Sequence, residues 1–142
     1  MSDARVDRLI TFYHLLTPEA VAHMGDFYAQ DAYFKDPFNE VNLLDDIQRI
    51  FRHMFVSLAE VKFTVLETIA QDSGVVLVWD FTFRIRKYKP EIMQRIRGVS
   101  HIRFKADGKV SYHRDYWDAA EELYEKLPLV GPLMRFLKRR VG

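Results

Sequence analysis

The sequence predicts an α+β domain in which most helices come first and a four-strand antiparallel meander follows. Apolar residues recur at helical spacing through most of the first sixty positions. From residue 61 onward, β-branched and aromatic segments alternate with turn residues. Helices gathered before strands point away from the alternating pattern of a parallel α/β sheet.

Each element has a local cause. Val6, Leu9, Ile10, Tyr13 and Leu16 form the stripe of a first helix behind possible caps at Ser2 and Asp3. Thr17-Pro18 restarts a short helix, with threonine as cap and proline in the first turn. Gly25-Asp26 breaks it, and Phe27-Tyr28 leads into a short strand over Ala32 to Asp36 that Pro37 stops. Asn42 is the expected cap of a helix whose stripe is Ile47, Ile50, Phe51, Met54, Phe55 and Leu58. Strands are predicted over 61–70, 75–87, 96–105 and 109–117, separated by Asp72-Ser73-Gly74, Lys89-Pro90 and Asp107-Gly108. A helical extension over about 118–142 is broken by Pro128 and reopened at Gly131-Pro132, ending in the basic Lys138-Arg139-Arg140. No repeat, low-complexity stretch or second domain divides residues 1–142.

Composition narrows the class of function. Of the 142 residues, 49% are apolar and 14% aromatic, too many for a disordered chain. A formal charge of +1 gives no reason to expect a nucleic-acid partner. Cysteine is absent, which excludes disulfides and thiolate chemistry. The charged start MSDARVDRL and the lack of any apolar run near ~20 residues predict a soluble, cytoplasmic protein rather than a secreted or membrane one.

Asp107-Gly108 marks a hairpin whose register decides which side chains meet. A two-residue loop sets Ser100 across from Asp115 and Ile102 across from His113. One face then carries Ser100, Ile102, Phe104, Ser111, His113, Asp115 and Trp117, and the other His101, Arg103, Tyr112, Arg114 and Tyr116. A three-residue loop with a bulge at Gly108 shifts that pairing by one; the two-residue loop is the expectation here. Asp115 and His113 beside Ile102 and Trp117 form a polar spot in an apolar wall, where ligands bind and pKa values move.

The run YAQDAYFKDPFNEV, the tyrosine-bearing first helix and SHIRFKADGKV resemble the ketosteroid isomerase branch of the nuclear transport factor 2-like superfamily. YHRDYWDAAEELYEKLPL is similar to the same region of limonene epoxide hydrolase, another member. The resemblance implies a cone-shaped α+β fold, helices on a curved antiparallel sheet around one pocket. It implies no cofactor. It makes Asp36 the general base of a proton transfer and Tyr13 an oxyanion donor, with Ser100 where the isomerase has a protonated aspartic acid. Asp115 matches one hydrolase aspartate, whereas Asp80 and Thr82 replace the arginine and the other aspartate, and Phe34 and Asp36 replace the tyrosine and asparagine. The same late aspartate resembles the acid/base residue of nogalamycin-type polyketide cyclases.

On the resemblance, Asp80 and Thr82 face the pocket together with Phe34, Ile102 and Trp117. Simple alternation instead buries Trp79, Phe81 and Phe83 and exposes Asp80 and Thr82. Both hold if the aromatic face is buried in a homodimer through the outer side of the sheet. His113, Asp115, Asp36 and Asp80 together would make a metal site of no recognised spacing, so no metal is expected. His14, His23, His53 and His101 read as structural or surface residues, and Arg114 as an interface or salt-bridge residue.

The function these residues imply is an isomerase- or cyclase-type enzyme acting by acid–base catalysis on an apolar, carbonyl-containing small molecule. Asp36 abstracts a proton, Tyr13 and Ser100 hold the oxyanion, and His113 with Asp115 returns the proton. The alternative is a non-catalytic ligand-binding or dimeric interaction module on the same fold. A third use, a membrane surface met by LMRFLKRR, is the least expected.

Overall fold

Asp3 opens the first helix of the computed structural model, which describes residues 3–122. Its carboxylate accepts a hydrogen bond from the Arg5 backbone N–H at 3.0 Å, capping α1 (Ala4–His14). Thr17 caps the one-turn α2 (Pro18–Val21) through a 3.1 Å bond from Ala20 N–H, with Pro18 at its first position. A 3₁₀ turn (Met24–Asp26) leads to β1 (Tyr28–Lys35), and β2 (Glu40–Val41) follows the Pro37 turn. Helix α3 (Leu44–Ser57) precedes the strands β3 (Leu58–Gln71), β4 (Gly74–Ile85), β5 (Gln94–Phe104) and β6 (Val110–Tyr116), and α4 begins at Ala119–Glu122. Leu43, not Asn42, is the N-cap of α3, and no side chain caps that end. The rest of the predicted C-terminal extension, with Gly131-Pro132, lies outside the described residues.

Six strands form one mixed sheet in the order β2-β1-β6-β5-β4-β3. All neighbours are antiparallel except β1 and β6, which run parallel. That pairing is what the sequence reading lacks. β1 starts at Tyr28, four residues before the predicted strand, because β6 supplies its ladder partners from the far end of the chain.

α1 and α3 pack on one face of the sheet. Val6, Leu9, Phe12 and Tyr13 of α1 and Leu44, Ile47 and Phe51 of α3 meet Leu77, Trp79, Phe81 and Phe83 of β4 and Ile96 and Ile102 of β5. Fully buried residues such as Ile47 and Ile102 each contribute about 1.5–3 kcal/mol of hydrophobic stabilisation. The β4 alternation is therefore the simple one: Trp79, Phe81 and Phe83 point into the monomer's own core. Asp80 and Thr82 lie on the opposite face, where Arg95 and Arg97 hold the Asp80 carboxylate at 2.6 and 2.5 Å. The resemblance-based placement of Asp80 and Thr82 on the pocket side is overturned, and the aromatic face needs no partner subunit to bury it.

The β5–β6 hairpin reaches the expected register by another route. Gly108, at φ +87°, donates to the Lys105 carbonyl at 2.9 Å, and Lys105 N–H bonds the Lys109 carbonyl at 2.8 Å. That is a three-residue loop with a glycine bulge, not the two-residue loop expected. A second bulge follows, since Phe104 pairs with Val110 and Arg103 with Tyr112, leaving Ser111 as the extra residue. The two offsets cancel. Ser100 faces Asp115 and Ile102 faces His113 as the sequence predicts, but Val110 takes the buried position assigned to Ser111.

Candidate functional site

The inner face of β6 carries His113 and Asp115 two residues apart, on the same side of the strand. His113 is enclosed by rings. Its centroid lies 4.8 Å from Phe34, 5.9 Å from Tyr28 and 6.2 Å from Tyr13. Phe34 sits directly across the β1–β6 ladder from it. His113 Nδ1 lies 2.7 Å from Tyr28 Oη, and Tyr28 Oη is hydrogen-bonded in turn to Tyr13 Oη. On the other side of the ring, His113 Nε2 lies 2.7 Å from Asp115 Oδ1.

A second arm reaches the same oxygen. Trp79 Nε1 donates to Ser100 Oγ at 2.8 Å, and Ser100 Oγ donates to Asp115 Oδ1 at 2.5 Å. Gly98 makes this arm possible. It faces Trp79 across the β4–β5 ladder, and a Cβ there would come within 2.4 Å of the indole. With glycine, the ring fits against Gly98 and its N–H reaches Ser100, two residues on.

The chemistry of the donors gives the network one direction. Tryptophan only donates, so Ser100 accepts from it and passes its own proton to Asp115. Tyr13 Oη has Tyr28 as its sole hydrogen-bond partner among the described residues. If His113 donated through Nδ1, Tyr28 would donate to Tyr13 and the Tyr13 proton would have no acceptor. A buried unpaired donor costs about 1–3 kcal/mol. Reversed, every group is satisfied: Tyr13 donates to Tyr28, Tyr28 to Nδ1, and Nε2–H to Asp115. The imidazole is then neutral, and Asp115 Oδ1 accepts both arms. Burial raises both phenols well above the ordinary tyrosine value, so each keeps its proton.

Both arms end on Oδ1, and Asp115 Oδ2 makes no hydrogen bond among the described residues. The Asp115 side chain is 18% exposed against 4% for His113, so it is where the buried network meets solvent. It lines an open cleft of about 620 Å³ with Lys35, Asp36, Pro37, Trp117 and Asp118 among its walls. Phe38 meets Trp117 edge-on at 5.7 Å beside it.

Asp36 serves this cleft and a turn at once. Its Oδ1 accepts from Phe38 N–H at 2.8 Å and Asn39 N–H at 2.7 Å, bending the chain from β1 towards β2. Burial raises its pKa above the ordinary carboxylate value and the Asp115 charge adds to the rise, against the lowering pull of those donors.

The structure thus separates the expected residues. Asp36, Asp115 and Trp117 line the cleft; His113 and Ser100 stand behind Asp115; Phe34 and Ile102 are buried wall. Tyr13 is 7% exposed, with its hydroxyl committed to Tyr28. Neither it nor Ser100, whose hydroxyl is committed to Trp79 and Asp115, is presented to a ligand as an oxyanion donor. Asp80 is on the outer face, so the set His113, Asp115, Asp36 and Asp80 is not gathered at one point. Two polar members escaped the sequence reading, Tyr28 and Trp79. Tyr28 is an even number of residues from Phe34, a signal usable only once β1 is known to begin at 28. For Trp79 the available sign is the glycine opposite it.

A family model described as a SnoaL-like domain matches residues 9–113. No curated protein matches the sequence. Among solved structures, the chain is similar to a protein with a ketosteroid isomerase-like fold from Catenulispora acidiphila, in complex with trimethylamine (TM-score 0.74, 14% identity, covering 90% of this chain and 96% of that one). It is also similar to a protein from Shewanella denitrificans described as a SnoaL-like polyketide cyclase (0.71, 16%, 87% and 99%). A protein from M. tuberculosis described as an LEH-like epoxide hydrolase is similar as well (0.68, 14%, 94% and 91%). At such identities the structures speak for the fold, which is nuclear transport factor 2-like as the resemblance implied. The family model covers most of the chain, from the middle of α1 to His113 itself: this protein belongs to the SnoaL-like domain family.

Proposed function

We propose that the chain is an acid–base enzyme of the isomerase or cyclase kind, working on an apolar, carbonyl-containing small molecule held against the Asp36–Asp115 cleft. One observation carries the reading: a buried, fully paired network ends on one oxygen of Asp115 and leaves the other turned out of it. Asp115 Oδ2 takes a proton from the carbon next to the carbonyl. Asp36, whose raised pKa lets it carry a proton, donates it to the carbonyl oxygen as the enol forms. Return of the proton to a different carbon completes an isomerisation; attack of the enol carbon on a second carbonyl completes a cyclisation. Trp117 and Phe38 supply the apolar contact that holds the ligand. Asp115 thus takes the base role that the resemblance gave Asp36, and Tyr13 and Ser100 act within the network rather than on the ligand.

Deuterium uptake tests this. A panel of cyclic ketones, steroids and aromatic polyketide fragments is incubated with protein in D₂O and followed by mass spectrometry. Wild type should label at least one compound next to its carbonyl, and Asp115→Asn should lose about 10²–10⁴-fold of that rate. No labelling across the panel, or full activity in Asp115→Asn, overturns the proposal.

A further inference from the structure

We infer that Tyr28 is a positioning residue for Asp115, holding the His113 ring from Nδ1 so that its Nε2–H stays aimed at the carboxylate. The inference rests on the reading of Asp115 as the reacting group. Tyr28 is fully buried at the start of β1, with its hydroxyl 2.7 Å from Nδ1. A neutral imidazole has one donor and one acceptor, and whichever nitrogen accepts leaves the other to donate. Tyr13 sets the direction in which Tyr28 donates, as its own proton has no other acceptor among the described residues. Tyr28 therefore makes Nδ1 the acceptor, and Nε2–H is aimed at Asp115 Oδ1 at 2.7 Å. The imidazole cannot rotate away from this pose without leaving contact with Phe34. With Ser100 holding the same oxygen, Asp115 is clamped from two sides and Oδ2 keeps a constant aim.

Loss of the Tyr28 hydroxyl removes the only partner of Nδ1 among the described residues. The Nε2–H form then leaves Nδ1 a buried, unpaired acceptor, and the Nδ1–H form would also set the Nε2 lone pair against Asp115 Oδ1, so the ring keeps its tautomer but loses the bond that holds it in place. Loss of the Tyr13 hydroxyl is different: Tyr28 still donates to Nδ1, and the ring stays held at both nitrogens.

Two-dimensional ¹⁵N correlation spectra of histidine-labelled protein test this without any substrate. The chain has five histidines, and a His113→Gln spectrum assigns the one that matters. Wild type and Tyr13→Phe should both show His113 with its proton on Nε2 and a hydrogen-bonded Nδ1, whereas Tyr28→Phe should move the Nδ1 resonance to that of an unbonded acceptor nitrogen. A wild-type spectrum with the proton on Nδ1 overturns the inference even if no variant folds. So does a Tyr28→Phe spectrum identical to wild type. The result is independent of turnover: a correct tautomer with no deuterium uptake on any ketone refutes the catalytic reading and leaves the tautomer assignment standing. Uptake lost in Asp115→Asn but an Nδ1–H imidazole does the reverse.

Discussion

Asp36 joins two demands that usually fall to different residues. Its carboxylate turns the chain by accepting two backbone N–H groups, and it stands in the same cleft as Asp115. Burial, assisted by the Asp115 charge, leaves its folded-state pKa above the unfolded one. Below the ordinary carboxylate range both states are protonated, and Asp36 costs nothing. As pH rises through the raised pKa, the unfolded chain gains a charge the folded one resists, so stability falls. Wild type should therefore lose more melting temperature than Asp36→Asn between pH 4 and 7, and the difference between the two curves isolates this group from the paired surface carboxylates. Parallel curves would mean that the turn donors, not burial, govern Asp36. On the catalytic reading the same titration sets the alkaline side of the pH–rate profile, since only protonated Asp36 can donate.

At the level of the element, the Trp79–Gly98 pair shows how one ladder position builds a polar arm. An added methyl at Gly98 would meet the indole at 2.4 Å, well inside contact distance. Gly98→Ala should cost about 1–3 kcal/mol of stability by overpacking, measured as a lower urea midpoint. It should also displace the Trp79 N–H from Ser100, so the indole N–H resonance should move. An unchanged midpoint would show that β4 and β5 can separate without penalty. The hairpin next door teaches the complementary lesson. The Asp107-Gly108 signal located the turn, and the register over Ser100 and Ile102 followed from two bulges that offset one another. Side-chain alternation alone contains no trace of the second one at Ser111, because an extra residue there is stabilised by contacts across the strand, not along it.

At the scale of the whole molecule, the sheet has one face under α1 and α3 and one that the described residues leave half-open. That outer face carries Val78, Val99 and Tyr112, each partly exposed, among the charged Asp80, Arg95 and Arg97. We propose that two copies pair through it. Light scattering should give the mass of two chains for wild type and of one for Val99→Arg; a wild-type mass of one chain refutes the pairing. No helix among the described residues is long and apolar enough to cross a membrane.

The sequence by itself determined the α+β class, the order of helices and strands, and the alternation that sets Trp79, Phe81 and Phe83 on one face of β4. These are local properties, set by periods of 3.6 and 2 and by turn residues a few positions apart. It also carried the family, through residue runs near both ends of the fold. Only the tertiary structure decided the rest. The parallel seam of β1 with β6 brings Tyr28 beside His113 across 85 positions, and the pairing of β4 with β5 brings Trp79 to Ser100 across 21. Tyr13 could be read from the chain as a ligand-facing phenol; packing turned its hydroxyl onto Tyr28 instead. Hydrogen bonds between distant elements depend on how whole layers stack, and no window of sequence contains both partners.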